Sequence, residues 1–241
     1  MKEKCTAILL AAGSGSRMGS NVPKQYMPLK GKPLIWYALK AFEQSSLIDK
    51  CILVVGQGQI AYAETEIVEK YGFKKVCAVI EGGAERFHSV QNALQEAKRM
   101  GMDGIVLIHD GARPFVDETI IRAAYQDALE YGASCTAVPV KDTIKVAGEG
   151  GCIADTPDRR LLYAAQTPQT FRISLILQAY EALTALSPKE IADMQITDDA
   201  MVVERMLSKQ VKLSWGSYEN IKVTTPEDLM VAEGILSRRM K

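Results

Sequence analysis

The chain has 241 residues, of which 47% are hydrophobic and 24% charged, a composition typical of a globular domain with a substantial buried core. Lysine plus arginine number 29, as do aspartate plus glutamate, so bulk charge gives no reason to expect nucleic acid or a membrane as a partner. The apolar runs are far shorter than the roughly 20 residues of a membrane span, and the first residues show no secretory cleavage pattern. We therefore expect a cytoplasmic protein.

The five cysteines and two histidines limit which metal and thiol sites the chain can form. The cysteine number is odd and no Cys-x-x-Cys pair occurs, which favours reduced, buried, hydrophobic thiols over disulfides, zinc ligands or a catalytic nucleophile. Two histidines are too few for a site built from several imidazoles.

Short apolar runs alternate with amphipathic stretches along most of the chain. Strands are predicted at residues 6–10, 51–55, 75–80, 104–109, 135–140 and 211–215. Helices are predicted at residues 33–42, 85–99, 117–131, 173–185 and 226–238. Strands that are apolar at consecutive positions suit a parallel sheet covered on both faces. The alternation predicts an α/β fold with one Rossmann-like, doubly wound, mostly parallel sheet in a single domain over residues 1–241, with ligands bound beyond the carboxyl ends of its strands.

The first predicted strand leads into a glycine-rich stretch, AAGSGSRMG at residues 11–19, and PKQ follows at 23–25. Glycines after a parallel strand let backbone N–H groups approach a phosphate. Arg17 and Lys24 add two positive charges, which stabilise charge that develops on a phosphoryl group during displacement. The glycine spacing differs from the dinucleotide fingerprint, no acidic residue stands about 20 positions later to bind a ribose, and no Walker A motif is present.

A second glycine motif, EGGAERFHSV at residues 81–90, follows a predicted strand and opens a predicted helix. Two adjacent glycines allow a flat base to lie against the backbone, whose N–H and C=O groups can then read the edge of the base. Ser89 offers a hydroxyl group. Taken alone, an ordinary glycine turn with charged residues in the first turn of a helix is an equally good interpretation.

A third motif, HDGARP at residues 109–114, ends an apolar run in a carboxylate. Asp110 at the carboxyl end of a strand suits Mg²⁺, which proteins hold by one or two carboxylates together with phosphate oxygens and waters. Arg113 follows closely enough to bind a second anion. Asp110 could instead be a turn residue, and we interpret His109 as a core histidine with satisfied hydrogen bonds.

Residues 138–165 break the strand–helix alternation, because strand-like runs flank a GEGG turn and a charged segment. This pattern predicts a projecting β-hairpin, an element that often serves subunit contact. Thr143 and Arg159 lie in it. Further on, Thr197 and Lys222 lie in polar motifs that could be loops, and Thr197 could simply cap a helix that begins near residue 198.

Taken together and in order, these motifs resemble the 2-C-methyl-D-erythritol 4-phosphate cytidylyltransferases of the non-mevalonate isoprenoid pathway, over about residues 6–232. The resemblance implies transfer of the cytidylyl group of CTP to 2-C-methyl-D-erythritol 4-phosphate, which gives 4-diphosphocytidyl-2-C-methyl-D-erythritol and diphosphate. It also implies Mg²⁺, or another divalent cation such as Mn²⁺, as cofactor. A homodimer is implied as well, in which an exchanged arm completes the partner's site.

The resemblance assigns roles to individual residues. Arg17 and Lys24 would be catalytic, and Asp110 would bind the metal. The nucleotide would be held by Ala11, Ala12, Gly13, Gly15, Gly82, Ala84 and Ser89. The acceptor would be held by Arg113, Thr197 and Lys222, with Thr143 and Arg159 reaching it from the partner subunit. Family members can carry aspartate where this chain has Ala84, so that contact would be made through the backbone.

Three alternatives remain. Ribitol 5-phosphate cytidylyltransferases share the fold, but they tend towards AGG and DAC where this chain has AAG at 11–13 and DDA at 198–200, which favours methylerythritol phosphate. A nicotinamide-dependent dehydrogenase is disfavoured by the missing ribose-binding acid. A non-catalytic nucleotide-binding protein would bind CTP without releasing diphosphate, and it would leave Arg17, Lys24 and Asp110 without a purpose.

Overall fold

The computed structural model describes residues 2–13 and 23–239 of the chain. Its strands are β1 (Cys5–Ala11), β2 (Pro28–Leu29), β3 (Lys32–Pro33), β4 (Lys50–Val55), β5 (Val76–Glu81), β6 (Ile105–Asp110), β7 (Ala133–Pro139), β8 (Val146–Ala147), β9 (Ile153–Asp155), β10 (Tyr163–Arg172) and β11 (Lys212–Trp215). Its helices are α1 (Leu34–Gln44), α2 (Ile60–Tyr62), α3 (Arg86–Arg99), α4 (Glu118–Tyr131), α5 (Ile173–Thr184), α6 (Pro188–Met194), α7 (Asp199–Leu207) and α8 (Pro226–Arg239). Helix α2 continues as a π-helical segment, Ala63–Glu69, and short 3₁₀ turns lie at Lys24–Tyr26, Glu149–Gly151 and Arg159–Leu161.

Seven strands form the central sheet in the order β11-β7-β10-β6-β1-β4-β5. Neighbouring strands pair in parallel, except that β10 is antiparallel to both β6 and β7. The predicted α/β fold with a mostly parallel sheet is therefore confirmed. Strand β1 has β4 on one side and β6 on the other, so the chain leaves the centre of the sheet in both directions. Such a switch point opens a crevice at the carboxyl ends of the strands, where ligands of this fold class bind.

Successive residues of β1 are buried on opposite faces of the sheet. Ala7 and Leu9 pack in a cluster with Phe42 of α1, whereas Ile8 packs in a second cluster with Val90 of α3. Burial on both faces explains why the strands read as continuous apolar runs instead of alternating with polar residues. Each large aliphatic side chain buried in this way contributes about 1.5–3 kcal/mol to stability.

The five predicted helices are confirmed to within two residues at either end. Helix α4 shows why its signal was clear. The Asp117 side chain accepts a hydrogen bond from the Ile120 backbone N–H at 3.0 Å, and Gly132 ends the helix in the left-handed conformation with φ of 85°. Both are standard helix-end signals, and both can be read from local sequence.

Strand β10 was not predicted, and its sequence explains why. It contains the polar run QTPQ at residues 166–169, and proline cannot donate a hydrogen bond within a sheet. The pairing of β10 with β7 is interrupted between Ala165 and Gln169, so Pro168 lies at an irregularity that spares it that bond. Helices α2 and α6 were also missed, whereas α7 is the helix expected near residue 198. The helix near residue 198 does exist, but Asp198 caps it, not Thr197, because the Asp198 side chain accepts from the Met201 N–H.

The predicted hairpin excursion is present. Strands β8 and β9 pair antiparallel in a small sheet separate from the central one, and nearly all residues between 141 and 163 are exposed. We call residues 141–163 the arm.

Cysteine burial follows the expectation only in part. Cys5, Cys51 and Cys135 are buried, and burial raises the pKa of the Cys5 and Cys135 thiols to about 12, so they remain protonated. Cys77 on the outer strand β5 and Cys152 in the arm are exposed, so the expectation of burial was wrong for these two. All five thiols are unpaired. In the described ranges, no helix has the length and apolarity to cross a membrane.

Candidate active site

A cleft of about 390 Å³ lies at the carboxyl ends of β1 and β6. Leu10 of β1 pairs directly with Asp110 of β6, which brings the ends of the two strands side by side. The walls come from the segment after β1, the glycine turn after β5, the end of β6 and Lys222. The cleft therefore unites the three chemical motifs of the sequence at the crevice that the sheet topology predicts.

The first wall carries Ala11, Ala12, Gly13 and Lys24. The Gln25 side chain, which is buried, donates a hydrogen bond from Nε2 to the Ala11 carbonyl at 2.6 Å. This bond ties the 3₁₀ turn that bears Lys24 to the end of β1, because a buried amide is costly to leave unpaired. The predicted residues Gly15 and Arg17 lie outside the described residues.

The second wall is the glycine turn between β5 and α3, and it depends on Gly82. A Cβ atom there would lie 2.4 Å from Cβ of Ala12 and 2.6 Å from Oγ of Ser89. Only glycine therefore allows the ends of β1 and β5 and the start of α3 to approach so closely. Ser89 accepts a hydrogen bond from the Gly83 N–H at 3.1 Å, which stabilises the turn. Ala84 and Ser89 line the cleft, as does Gly83.

Asp110 lies at the floor of the cleft with only 11% of its side chain exposed. Lys222 Nζ is 2.7 Å from one carboxylate oxygen, and Arg86 Nε is 3.4 Å from the other. Burial by itself would raise the pKa of the Asp110 carboxyl, but the positive charges of Arg86 and Lys222 outweigh burial and hold that pKa well below its usual range. Asp110 is therefore ionised at neutral pH, the form that binds a cation.

His109 is fully buried directly before Asp110. Its Nε2 lies 3.0 Å from the Arg113 carbonyl, which can only accept, so the ring hydrogen is assigned to Nε2. The Thr167 hydroxyl donates to Nδ1 at 3.0 Å and accepts a hydrogen bond from the Asp110 backbone N–H. Burial lowers the pKa of His109 to about 4. The interpretation of His109 as a core histidine with satisfied hydrogen bonds is thus confirmed.

The predicted acceptor residues are divided between the cleft and the surface. Lys222 lines the cleft. Arg113 lies beside it and donates from Nη1 to the Asn220 carbonyl at 2.8 Å. Thr197 is exposed and lines a neighbouring cavity of about 300 Å³ together with Arg86. Thr143 and Arg159 are exposed in the arm, where Arg159 donates to the Lys141 carbonyl at 2.7 Å. Within one protomer, the described cleft wall includes Lys222 but not the other four predicted acceptor residues, Arg113, Thr143, Arg159 and Thr197.

Arg86 lies within the glycine motif at residues 81–90, but no role was predicted for it. The structure places Arg86 in the cleft wall, with its two terminal nitrogens 2.8 and 2.7 Å from the Asp199 carboxylate. The available signal was an arginine in the first turn of a helix that opens onto the site. Its partner is 113 residues away along the chain, so local pattern could not find it.

The residues present suit a metal that arrives with the nucleotide. Across residues 2–13 and 23–239, no three histidine, cysteine, aspartate or glutamate side chains come together as a metal site. Asp110 supplies one ionised oxygen ligand beside an open cleft. Mg²⁺ is characteristically bound by one or two carboxylates with substrate phosphates and waters, instead of by a cage made of protein alone. Asp110 therefore fits that mode.

The sequence matches a family model described as "IspD: 2-C-methyl-D-erythritol 4-phosphate cytidylyltransferase" over residues 5–238. A protein of that name from Lachnoclostridium phytofermentans is 47% identical over 234 residues, which are 97% of each chain. Another from Alkaliphilus oremlandii is 47% identical over 237 residues, which cover 98% of this chain and 96% of the relative.

Solved structures with similar folds carry the same family description. The crystal structure of 4-diphosphocytidyl-2C-methyl-D-erythritol synthase from Anaerococcus prevotii is similar with a TM-score of 0.82 and 30% identity, and the match covers 98% of this chain and 97% of that one. The 2-C-methyl-D-erythritol 4-phosphate cytidylyltransferase of Francisella tularensis is similar with a TM-score of 0.78 and 28% identity, over 96% and 99% of the two chains.

Proposed function

Since the chain belongs to the 2-C-methyl-D-erythritol 4-phosphate cytidylyltransferase family, we propose that the cleft between β1 and β6 is the site of its reaction. That reaction transfers the cytidylyl group of CTP to 2-C-methyl-D-erythritol 4-phosphate and releases diphosphate, a step of isoprenoid precursor biosynthesis. One observation carries the assignment. Lys24, Asp110 and Lys222 come from distant parts of the chain and meet in one cleft walled by two glycine-rich segments.

The nucleotide end of the cleft is the wall built by the two glycine segments. Here Ala11, Ala12, Gly82, Ala84 and Ser89 are proposed to hold cytosine and ribose. The two segments touch through Gly82, which supports a narrow slot for a flat base. The phosphates would extend along the chain after β1, where Gly13, Gly15 and Arg17 follow in sequence. Backbone N–H groups and a guanidinium are suited to phosphate oxygens.

Catalysis in this proposal rests on positioning and charge. The acceptor's phosphate oxygen is already anionic at neutral pH, so it can attack the α-phosphorus of CTP without a general base. Arg17 and Lys24 would stabilise the charge that develops on the α-phosphate, which is where fixed cations lower the barrier most. The neutral, fully hydrogen-bonded state of His109 supports a mechanism that needs no imidazole.

Mg²⁺, or another divalent cation such as Mn²⁺, is the proposed cofactor, and Asp110 is its proposed protein ligand. When bound, the cation would neutralise charge on the triphosphate and help diphosphate leave. The low pKa of Asp110 supports this role, since the carboxylate is negatively charged at neutral pH.

The acceptor phosphate is proposed to bind Lys222, Arg113 and Thr197. Lys222 lies at the floor of the cleft, next to Asp110. Arg113 carries a buried Nε atom with no hydrogen-bond partner among the described residues, and a buried unpaired donor is stabilised when an anion reaches it. An acceptor anchored at these cations would present its phosphate oxygen towards the nucleotide.

A homodimer completes the proposal, with Thr143 and Arg159 of each arm contributing to the partner's site. The arm exposes several apolar side chains, among them Ile144, Val146, Ile153 and Leu161, at 40–78% of their surface. Exposed apolar patches of this kind mark protein interfaces. A second copy packed on the arm would cover them and bring Arg159 to a cleft that it does not line in its own protomer. The cytoplasm is the proposed location.

Diphosphate release from CTP tests the proposal. The enzyme is assayed with methylerythritol phosphate, with ribitol 5-phosphate and without acceptor, each in the presence and absence of Mg²⁺. We expect release that depends on both methylerythritol phosphate and the cation. Faster turnover with ribitol 5-phosphate would assign the protein as a ribitol 5-phosphate cytidylyltransferase. CTP binding without diphosphate release under any of these conditions would make it a non-catalytic nucleotide-binding protein.

A further inference from the structure

Arg86 bridges two acidic side chains that lie on different elements of the fold. Its terminal nitrogens pair with both oxygens of Asp199 at 2.8 and 2.7 Å, while its Nε lies 3.4 Å from Asp110. The side chain is 28% exposed and forms part of the cleft wall. Two parallel N–H···O bonds fix the plane of a guanidinium as well as its position, so the direction of Nε is set by the Asp199 pair.

Asp199 is itself held rigidly. Its side chain is fully buried, and the Tyr180 hydroxyl donates to it at 2.7 Å. Its backbone N–H donates to Gln169 Oε1 at 2.9 Å, and the same oxygen accepts from the Ala200 N–H. The anchor of Arg86 is therefore fixed to α5, to β10 and to the first turn of α7.

The Asp110 carboxylate is consequently held from two sides by different kinds of partner. Lys222 contacts one oxygen at the end of a flexible side chain with 40% exposure, whereas Arg86 contacts the other oxygen from a locked guanidinium. Lysine is a mobile point charge, and a paired arginine is an oriented one. If Lys222 turns to an acceptor phosphate, Arg86 keeps its contact with the carboxylate, and Arg86 and the nearby Arg113 still offset the buried charge.

We propose that Arg86, anchored on Asp199, is the positioning residue that fixes Asp110 for metal-dependent binding of the nucleotide. This inference rests on the proposed role of Asp110 as metal ligand. It assigns Asp199 and Tyr180 to the reaction although the described structure gives them no place in the cleft wall. Groups that orient a metal ligand through hydrogen bonds commonly change metal affinity by about 10–100-fold when they are replaced.

The competing explanation is that Arg86 only fastens α3 to α7. That role predicts a loss of stability without a specific effect on metal-dependent binding. The two explanations separate in a double-mutant cycle, because residues that act through each other give non-additive effects and independent residues give additive ones.

The experiment measures CTP affinity by titration calorimetry, without acceptor, in the presence and absence of Mn²⁺. The variants are Arg86→Lys, Asp110→Asn and their combination, and Arg86→Lys keeps a positive charge that cannot span both carboxylates. Arg99→Lys is the matched control, since Arg99 lies on the same helix but pairs with Glu96 at the exposed far end. Thermal melting verifies that each variant is folded.

We expect Arg86→Lys to weaken CTP binding about 10-fold or more when Mn²⁺ is present, to change it little without the metal, and to add almost nothing in the Asp110→Asn background. If Arg86→Lys does not fold, Tyr180→Phe, which removes only one hydrogen bond to Asp199, is expected to give a few-fold loss with the same non-additivity.

If Arg86→Lys causes the same loss of CTP affinity in the wild-type and Asp110→Asn backgrounds, the inference is overturned, but the proposed site remains. If Asp110→Asn instead leaves the metal-dependent affinity for CTP unaltered, Asp110 is not the metal ligand, and Arg86 then has no positioning role.

Discussion

Charged groups at the end of β6 and in the arm have opposite environments. Around Asp110, two cations and a second carboxylate neutralise one another inside the protein, with their positions set by side chains from several elements. In the arm, Arg159 and Asp158 are exposed, and their hydrogen bonds to described residues stay within the arm, from Arg159 to the Lys141 carbonyl and from Arg160 to Asp158. The first region is organised by one chain alone, whereas among the described residues Arg159 and Asp158 are not part of the cleft wall of their own chain.

The difference separates two ways of building a site. A buried charge must be paired, so the groups around Asp110 are preorganised before any substrate binds. An exposed ion pair contributes little to stability, so the arm side chains are free to take new partners. We therefore expect substitutions near β6 to impair the chemistry in every protomer, and substitutions in the arm to act across the dimer.

The largest effect is expected from Lys24→Ala. Turnover should fall by at least ~100-fold, the order seen when a group that stabilises the transition state is removed. Steady-state diphosphate release with saturating CTP and acceptor measures the effect. Lys209→Ala, a change at an exposed lysine remote from the cleft, is the control and should keep the wild-type rate. Near-normal turnover of Lys24→Ala would show that this lysine has no role in the chemical step.

The next largest effect concerns the arm. Arg159→Ala should reduce acceptor-dependent turnover about 10-fold or more, since a charge-assisted bond to phosphate would be lost. Mixed dimers of Arg159→Ala and Lys24→Ala chains should nevertheless regain activity, because one of their two sites combines an intact Lys24 with an intact partner arm.

Co-expression of the two variants measures this complementation. With random pairing, half of the dimers are mixed and each has one intact site, so roughly a quarter of wild-type activity should return. A co-expressed mixture no more active than the two single variants would show that each arm serves its own protomer, or that the arm has no part in the site.

The smallest effect on turnover is expected at His109, whose contribution appears in stability instead. The pKa of His109 is lowered from 6.5 to about 4 in the folded protein, so the unfolded chain takes up a proton first as the pH falls. The free energy of unfolding should therefore decrease between pH 6.5 and 4, by on the order of 3 kcal/mol in total. Above pH 6.5 this contribution is fully present.

Urea unfolding of the wild type and of His109→Gln over this pH range measures the effect. The glutamine variant should be less stable at neutral pH, because it loses bonds to Thr167 or Arg113, and the gap should narrow as the pH falls. Parallel curves for the two proteins would show that His109 does not remain neutral in the folded state.

Much of the fold could be predicted because its signals are local. Apolar runs predicted six of the seven strands of the central sheet, and amphipathic stretches predicted five helices to within two residues at either end. The glycines after β1 and β5 and the carboxylate that ends β6 indicated the cleft, since the carboxyl ends of parallel strands meet at one edge of a sheet. Strand β10 escaped notice because a polar run with proline hides its pairing.

By itself, the sequence determined which elements form, which of their ends carry glycine, lysine or aspartate, and which family the motifs resemble. Only the tertiary structure decided which charges meet. Arg86 finds Asp199 across 113 residues, and His109 finds Thr167 across 58. The physical reason is that periodicity and caps report interactions within a few residues, whereas a buried polar group takes whichever partner the packing of distant elements brings within hydrogen-bond distance.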